Sequence, residues 1–98
     1  MQVLEAMSDG GVRAGLPRSQ ALLLAAQTMK GAAEMVLNAG SDTPGDLQHP
    51  GVLKDQVTSP GGTTIAALAV LEEEGVRSAF IKAVHTAAAQ SRSMAASR

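Results

Sequence analysis

The sequence predicts an all-α fold, and three observations carry that expectation. Eighteen of the 98 residues are alanine, the strongest helix former, while Phe80 is the one aromatic side chain. Apolar residues recur at three- and four-residue steps over long stretches, which is the period of an amphipathic helix. Val, Ile and Thr never cluster into an alternating run of strand length. An alanine-rich core lets helices approach closely, yet it offers little apolar area to set against chain entropy. Association between copies is a common remedy in so small a helical chain, so self-association is expected.

Taken in order, Val3 to Ser8 read as the last turns of a first helix, stopped by the "DGG" of Asp9, Gly10 and Gly11. Pro17 in "GLPR" suits the first turn of a second helix, where its missing N–H costs nothing, and the pattern runs on to about Leu37 before Asn38 and Gly40. This second helix is apolar almost all round. Gln20, Gln27, Lys30 and Glu34 form a single narrow polar stripe, so it should be packed on several sides. Ala39 to Gly51, "AGSDTPGDLQHPG", is turn chemistry, and "HPGVLKDQV" predicts a short helix entered through Pro50. Ile65 to Leu71 make an unbroken apolar run too alanine-rich for a strand, which predicts a buried helix ending at Gly75. Val76, Ala79, Phe80, Ala83, Val84, Ala87, Ala88 and Met94 then mark a last helix that packs by one face, with Arg77, Lys82, His85, Gln90 and Arg92 on its solvated faces.

Composition excludes several function classes. A length of 98 residues suits one small domain that buries about two-thirds of its unfolded surface. Eight basic and nine acidic residues, interspersed and summing to −1, are unlike the basic footprint of a nucleic-acid binder. Without cysteine there is neither a disulfide framework nor thiolate chemistry, and cytoplasmic is the default expectation for location. The longest apolar runs, Ala21 to Ala26 and Ile65 to Leu71, fall far short of the roughly 20 residues that span a bilayer, so no membrane partner is expected. Met1 leads no signal-peptide pattern.

The stretch most suggestive of chemistry is "SPGGTT", Ser59 to Thr64, placed immediately before the apolar run. Its glycines let the backbone fold closely, and the first N–H groups of the helix that follows lack an internal partner. Those donors and the helix dipole favour a carboxylate or phosphate, and the hydroxyls of Thr63 and Thr64 can add a hydrogen bond. The bland reading is an ordinary helix cap, with Ser59 or Thr63 satisfying the helix start. A Walker A loop is excluded, because no lysine precedes the threonines and no strand leads in. "DGGVRAG" fails as a dinucleotide fingerprint, since its glycines follow a helix. His49 with Asp46 or Asp55 forms no metal or triad signature and reads as solvated loop chemistry. His85 has no partner motif. Glu72, Glu73 and Glu74 stand near a helix C-terminus, where each exposed carboxylate costs roughly 0.3 to 1 kcal/mol, and nothing in the sequence accounts for them.

Two long segments carry a resemblance. "SDGGVRAGLPRSQALLLAAQTMKGAAEMVL", followed by "HPGVLKDQVTSPGGTTIAALAVLEEEGVRSAFIKAV", resembles the C-terminal domain of pyrroline-5-carboxylate reductase from about Met7 to Ser93. The order and spacing of "DGG", "GLPR", "AAQT", "HPGVLKD" and "SPGGTTIAAL" make the match specific. The resemblance implies a helical bundle forming an interlocked two-fold dimer, like the C-terminal domain of 6-phosphogluconate dehydrogenase, and larger assemblies of dimers occur in the family. It implies the reduction of 1-pyrroline-5-carboxylate to L-proline with NADPH or NADH, the last step of proline biosynthesis. It further implies that Ser59, Gly61, Gly62, Thr63 and Thr64 form the substrate loop, and that Thr64 is the catalytic position, its hydroxyl near the ring nitrogen. Neither a covalent nucleophile nor a metal is implied.

The family's N-terminal Rossmann domain, with its glycine-rich cofactor loop, has no counterpart in residues 1–98, and Met1 falls inside what the resemblance makes a long interface helix. The expectation is therefore a dimerisation and substrate-binding domain that binds no cofactor alone, does not turn over alone, and takes proline-like or pyrroline-5-carboxylate-like carboxylates weakly. The alternative is a non-catalytic helical assembly module that keeps the family scaffold.

Overall fold

The computed structural model describes residues 1–38, 47 and 49–97, and these contain five helices and no strand. In chain order they are α1 (Gln2–Arg13), α2 (Arg18–Leu37), α3 (Pro50–Gln56), α4 (Thr63–Glu73) and α5 (Val76–Ala96). The chain divides into two compact units, Met1–Gln56 and Val57–Arg98. The all-α expectation holds. The turn expected between Ala39 and Gly51 lies largely outside the described residues.

In the first unit α1 packs along α2, and α3 touches α2. The first helix corrects the sequence reading, because α1 passes straight through Asp9, Gly10 and Gly11 and continues to Arg13. Its true stop is four residues further on. The Leu16 N–H reaches back to the Gly11 carbonyl and the Gly15 N–H to the Val12 carbonyl, both at 3.0 Å, while Gly15 takes φ +110°. This is the Schellman arrangement, with glycine at the position that favours positive φ and Pro17 close behind to prevent continuation.

Gly11 serves packing instead of termination. A Cβ built on it would lie 3.0 Å from the Ala21 Cβ and 3.5 Å from Leu16 Cδ1, so the bare backbone lets α2 come close. Ala21 and Ala25, one helical turn apart on α2, are the buried apolar side chains of this seam, and Ser8 is the buried polar one. Ser8 is only 2% exposed, and its Oγ accepts a hydrogen bond from Arg18 Nη1 at 2.9 Å. The same guanidinium nitrogen pairs with Asp9 Oδ1 at 2.6 Å. One arginine at the start of α2 thereby ties down both ends of the "SD" pair on α1.

Much of the apolar surface of α2 is exposed. Leu22, Leu23, Leu24, Met29, Met35 and Leu37 are all exposed, Leu23 at 60%. The sequence expectation of packing on several sides is met only in part: α1 and α3 contact α2, and Ala21 and Ala25 are its buried residues.

In the second unit α4 and α5 meet at an elbow on Gly75, which takes φ +73°. The Gly75 N–H closes α4 on the Glu72 carbonyl at 3.2 Å, and Gly75 then serves as the N-cap of α5. The boundary at Gly75 was legible in the sequence; the burial was not. Neither α4 nor α5 contains a buried residue, and the face marked for packing on α5 carries Phe80 at 52% and Val84 at 70% exposure. The elbow also supplies a partner for one of the unexplained glutamates, since Arg77 Nε donates to Glu72 Oε1 at 2.8 Å.

Candidate functional site

Ser59, Pro60, Gly61 and Gly62 form one tight turn, in which the Gly62 N–H donates to the Ser59 carbonyl at 3.0 Å. Proline pre-sets the second position, and the third requires the φ of +68° that Gly61 adopts. Gly62 is extended, with φ −81° and ψ −178°, and is the N-cap of α4. Any side chain there meets the turn it closes: a Cβ would sit 3.2 Å from the Ser59 carbonyl oxygen and 3.3 Å from the Ser59 Cβ. The sequence "SPGG" is thus a reversal that ends flush against the first turn of a helix.

No side chain caps that helix. The ordinary-cap reading, with Ser59 or Thr63 bonding the helix start, is therefore corrected: Ser59 contributes its carbonyl to the turn, and Thr63 is the first residue of α4 itself. The internal ladder begins with the Ala66 N–H donating to the Gly62 carbonyl at 3.3 Å. The N–H groups of Thr63, Thr64 and Ile65 precede that ladder, and the first turn carries no acidic side chain. Thr63 and Thr64 are both exposed. The free N–H groups, the positive end of the helix dipole and two exposed hydroxyls thus belong to one helix start.

Of the five residues singled out in the sequence, Ser59, Gly61 and Gly62 lie in this turn, and Thr63 and Thr64 open the helix that follows it. The Gly62 N–H and the Ser59 carbonyl are engaged with each other within the turn. The Ile65 N–H was not singled out; only the helix start at Thr63 shows that its backbone belongs to the same donor group.

The remaining candidates do not assemble. His49 Nδ1 accepts the Gly51 N–H at 2.9 Å, and Asp55 pairs with Lys54 Nζ at 2.9 Å, so the imagined His49–Asp55 pair is not formed. Asp46 lies outside the described residues. Among the described residues no group of three His, Cys, Asp or Glu could hold a metal ion, and no helix is long and apolar enough to cross a membrane. Gly10 and Gly11 are interior to α1, so they do not form a phosphate loop for a dinucleotide.

Five helices with largely exposed apolar residues, and no strand among the described residues, define a class: a small all-helical module. Residues 1–94 match the family described as pyrroline-5-carboxylate reductase dimerisation, and the chain belongs to that family. It is 53% identical over 94 residues to the pyrroline-5-carboxylate reductase of Arabidopsis thaliana, covering 96% of this chain and 32% of that protein. It is likewise 53% identical over 81 residues to the reductase of Escherichia coli strain K12, covering 83% of this chain and 28% of that protein. Among solved structures it resembles the pyrroline carboxylate reductase of Plasmodium falciparum crystallised with NADP bound, at a TM-score of 0.77 and 37% identity, over 93% of this chain and 32% of that one. The chain spans roughly a third of the length of these relatives.

Proposed function

We propose that this chain is the dimerisation and substrate-binding portion of a pyrroline-5-carboxylate reductase, the enzyme that reduces 1-pyrroline-5-carboxylate to L-proline. The observation that carries the reading is the uncapped start of α4, where the N–H groups of Thr63, Thr64 and Ile65 stand outside the helix ladder beside two exposed hydroxyls. The substrate carboxylate sits against those N–H groups, and the Thr64 hydroxyl faces the ring nitrogen. Ser59, Gly61 and Gly62 shape the turn, and the absence of a Cβ at Gly62 lets the turn close against Ser59.

Reduction of the imine places a hydride on the ring carbon and a proton on the nitrogen. Reduced nicotinamide supplies the hydride in such a reaction, and the described residues provide no phosphate loop for it. What this chain contributes is orientation: the anchored carboxylate fixes the ring, and Thr64 can donate a hydrogen bond to the nitrogen as its basicity grows.

Affinity for a free ligand is weak. A charge-assisted contact of about 1.5 to 3 kcal/mol does not offset the entropy of immobilising a small molecule, so dissociation constants in the millimolar range or above are expected. Titration of the isotopically labelled chain with L-proline or a cyclic carboxylate analogue tests this. Amide shifts should move at Gly61, Gly62, Thr63, Thr64 and Ile65, and Thr64→Ala should erase the preference for ring-imine mimics over plain carboxylates. If those amides stay still at high ligand while others move, the turn is a structural helix start and the substrate role fails.

Self-association is the second half of the proposal, supported by the uncovered leucines of α2 and by the absence of buried residues in α4 and α5. The arrangement we propose is a two-fold dimer with intertwined helices, in which each copy covers the other's apolar faces. A single folded species at monomer mass in sedimentation, at micromolar concentration and physiological salt, would contradict it.

A further inference from the structure

We infer that α4 is ordered by a second copy of the chain, whereas the α1–α2 pair is ordered within one copy, so that the helix start offered to a carboxylate is a formed site only in the assembled protein. The last consequence rests on the carboxylate reading above; the ordering does not. Local chemistry gives α4 almost no support. It has 11 residues, a length at which an isolated helix is marginal in water. Thr63, Thr64, Ile65 and Val70 are β-branched and lower its propensity further. No side chain caps its start, its first turn holds no acidic residue and its last turn no basic one. Glu72 and Glu73 instead place negative charge at the negative end of the dipole. With local support missing or reversed, packing has to hold this helix.

Within the chain that packing is thin. Leu68 is the one half-buried residue of α4, and the others are exposed, Val70 at 55%. Leu68 and Leu71 share an open apolar groove with Val76, Phe80 and Ile81 of α5, and Phe80 and Ile81 are themselves exposed. The α1–α2 seam differs, because it closes on itself. Gly11 faces Ala21, Ala21 and Ala25 are buried, and buried Ser8 holds its bond from Arg18. The first unit therefore has a small core of its own, and the second has one wall of a core. A second copy is the occupant that completes it, since the match to a dimerisation family spans residues 1–94 and includes the whole of α4. A partner on the apolar face and a carboxylate at the helix start both select the helical form of α4, so each strengthens the binding of the other by the same factor.

Native-state hydrogen exchange of the full chain over a protein dilution series tests the ordering. Exchange that passes through dissociation follows the square root of concentration, so protection of the amides at 66–73 should fall about three-fold for each ten-fold dilution. The seam amides at 21–25 should stay at least about ten-fold better protected than those of α4 at every concentration, because the α1–α2 pair outlasts the loss of the partner. The inference is overturned if α4 protection is independent of concentration, or if α4 and the seam share one protection factor and so open as a single unit. L-proline, compared with sucrose at equal osmolality, should raise both the α4 protection and the dimer fraction in sedimentation. Concentration-dependent α4 protection with no response to L-proline supports ordering by the second copy and overturns the carboxylate reading alone.

Discussion

Gly10 and Gly11 are neighbours with opposite roles, and substitution should separate them. A Cβ at Gly10 meets nothing within 4 Å. Gly10→Ala should therefore stabilise α1 by about 0.5 to 1 kcal/mol through reduced chain entropy. Gly11→Ala gains the same propensity but presses a methyl group onto Ala21 at 3.0 Å, and overpacking of about 1 to 3 kcal/mol outweighs it. Chemical denaturation of the two variants should move the midpoint in opposite directions. At the other glycine pair, Gly61→Ala forces an L-residue to φ +68°, which costs about 1 to 2 kcal/mol and reshapes the turn. The prediction is a modest loss of stability with complete loss of proline-induced shifts at Thr63 and Thr64. The need for glycine at 61 could be read from "SPGG", because turn chemistry is local. The need at 11 could not, because the atom it avoids belongs to a residue ten positions away.

Among the elements, the two arginine pairs show how burial decides what an ion pair contributes. Arg77 and Glu72 are both well exposed, and Arg77→Ala should change stability by less than about 0.5 kcal/mol. Arg18 also has an exposed carboxylate partner, but its bond to Ser8 reaches a hydroxyl that is shut off from water. Removing it leaves a buried polar group short of a partner, so Arg18→Ala should cost about 1 to 2 kcal/mol in thermal or chemical unfolding. Asp9→Asn isolates the charge and should cost much less. This clamp also explains why α1 ignores "DGG" as a stop signal. Ser8, Asp9 and Gly11 all meet residues at the start of α2, and that packing outweighs the poor helix propensity of two adjacent glycines, about 1 kcal/mol each. Boundaries at Pro17, Pro50 and Gly75 were legible; the passage of α1 through Asp9, Gly10 and Gly11 was not, because packing against α2 decides it.

For the molecule as a whole, exposed apolar surface is the feature that calls for a partner. Leu23 on α2 and Val84 on α5 are 60% and 70% exposed within the chain, and at a free surface replacing either with Asp would change stability by no more than about 0.5 kcal/mol. If a second copy covers them, each variant should instead weaken the dimer by tenfold or more and make helical signal depend on protein concentration, because buried unpaired charge is costly and folding is coupled to association. Sedimentation and circular dichroism over a dilution series will distinguish these outcomes, and either variant with an unchanged dimer would exclude its face from the interface. The sequence by itself determined the helical class, the order of the helices and the turn at Ser59 to Thr64, since helix period, proline and glycine act over a few residues. Family membership was legible there too, through motifs kept in order. Only the tertiary structure decided that α1 runs on to Arg13, that Gly11 is a contact and not a stop, that α4 begins without a side-chain cap, and that many apolar residues of α2, α4 and α5 are exposed. Those outcomes depend on which atoms meet across helices, and periodicity can mark a face for burial without naming what buries it.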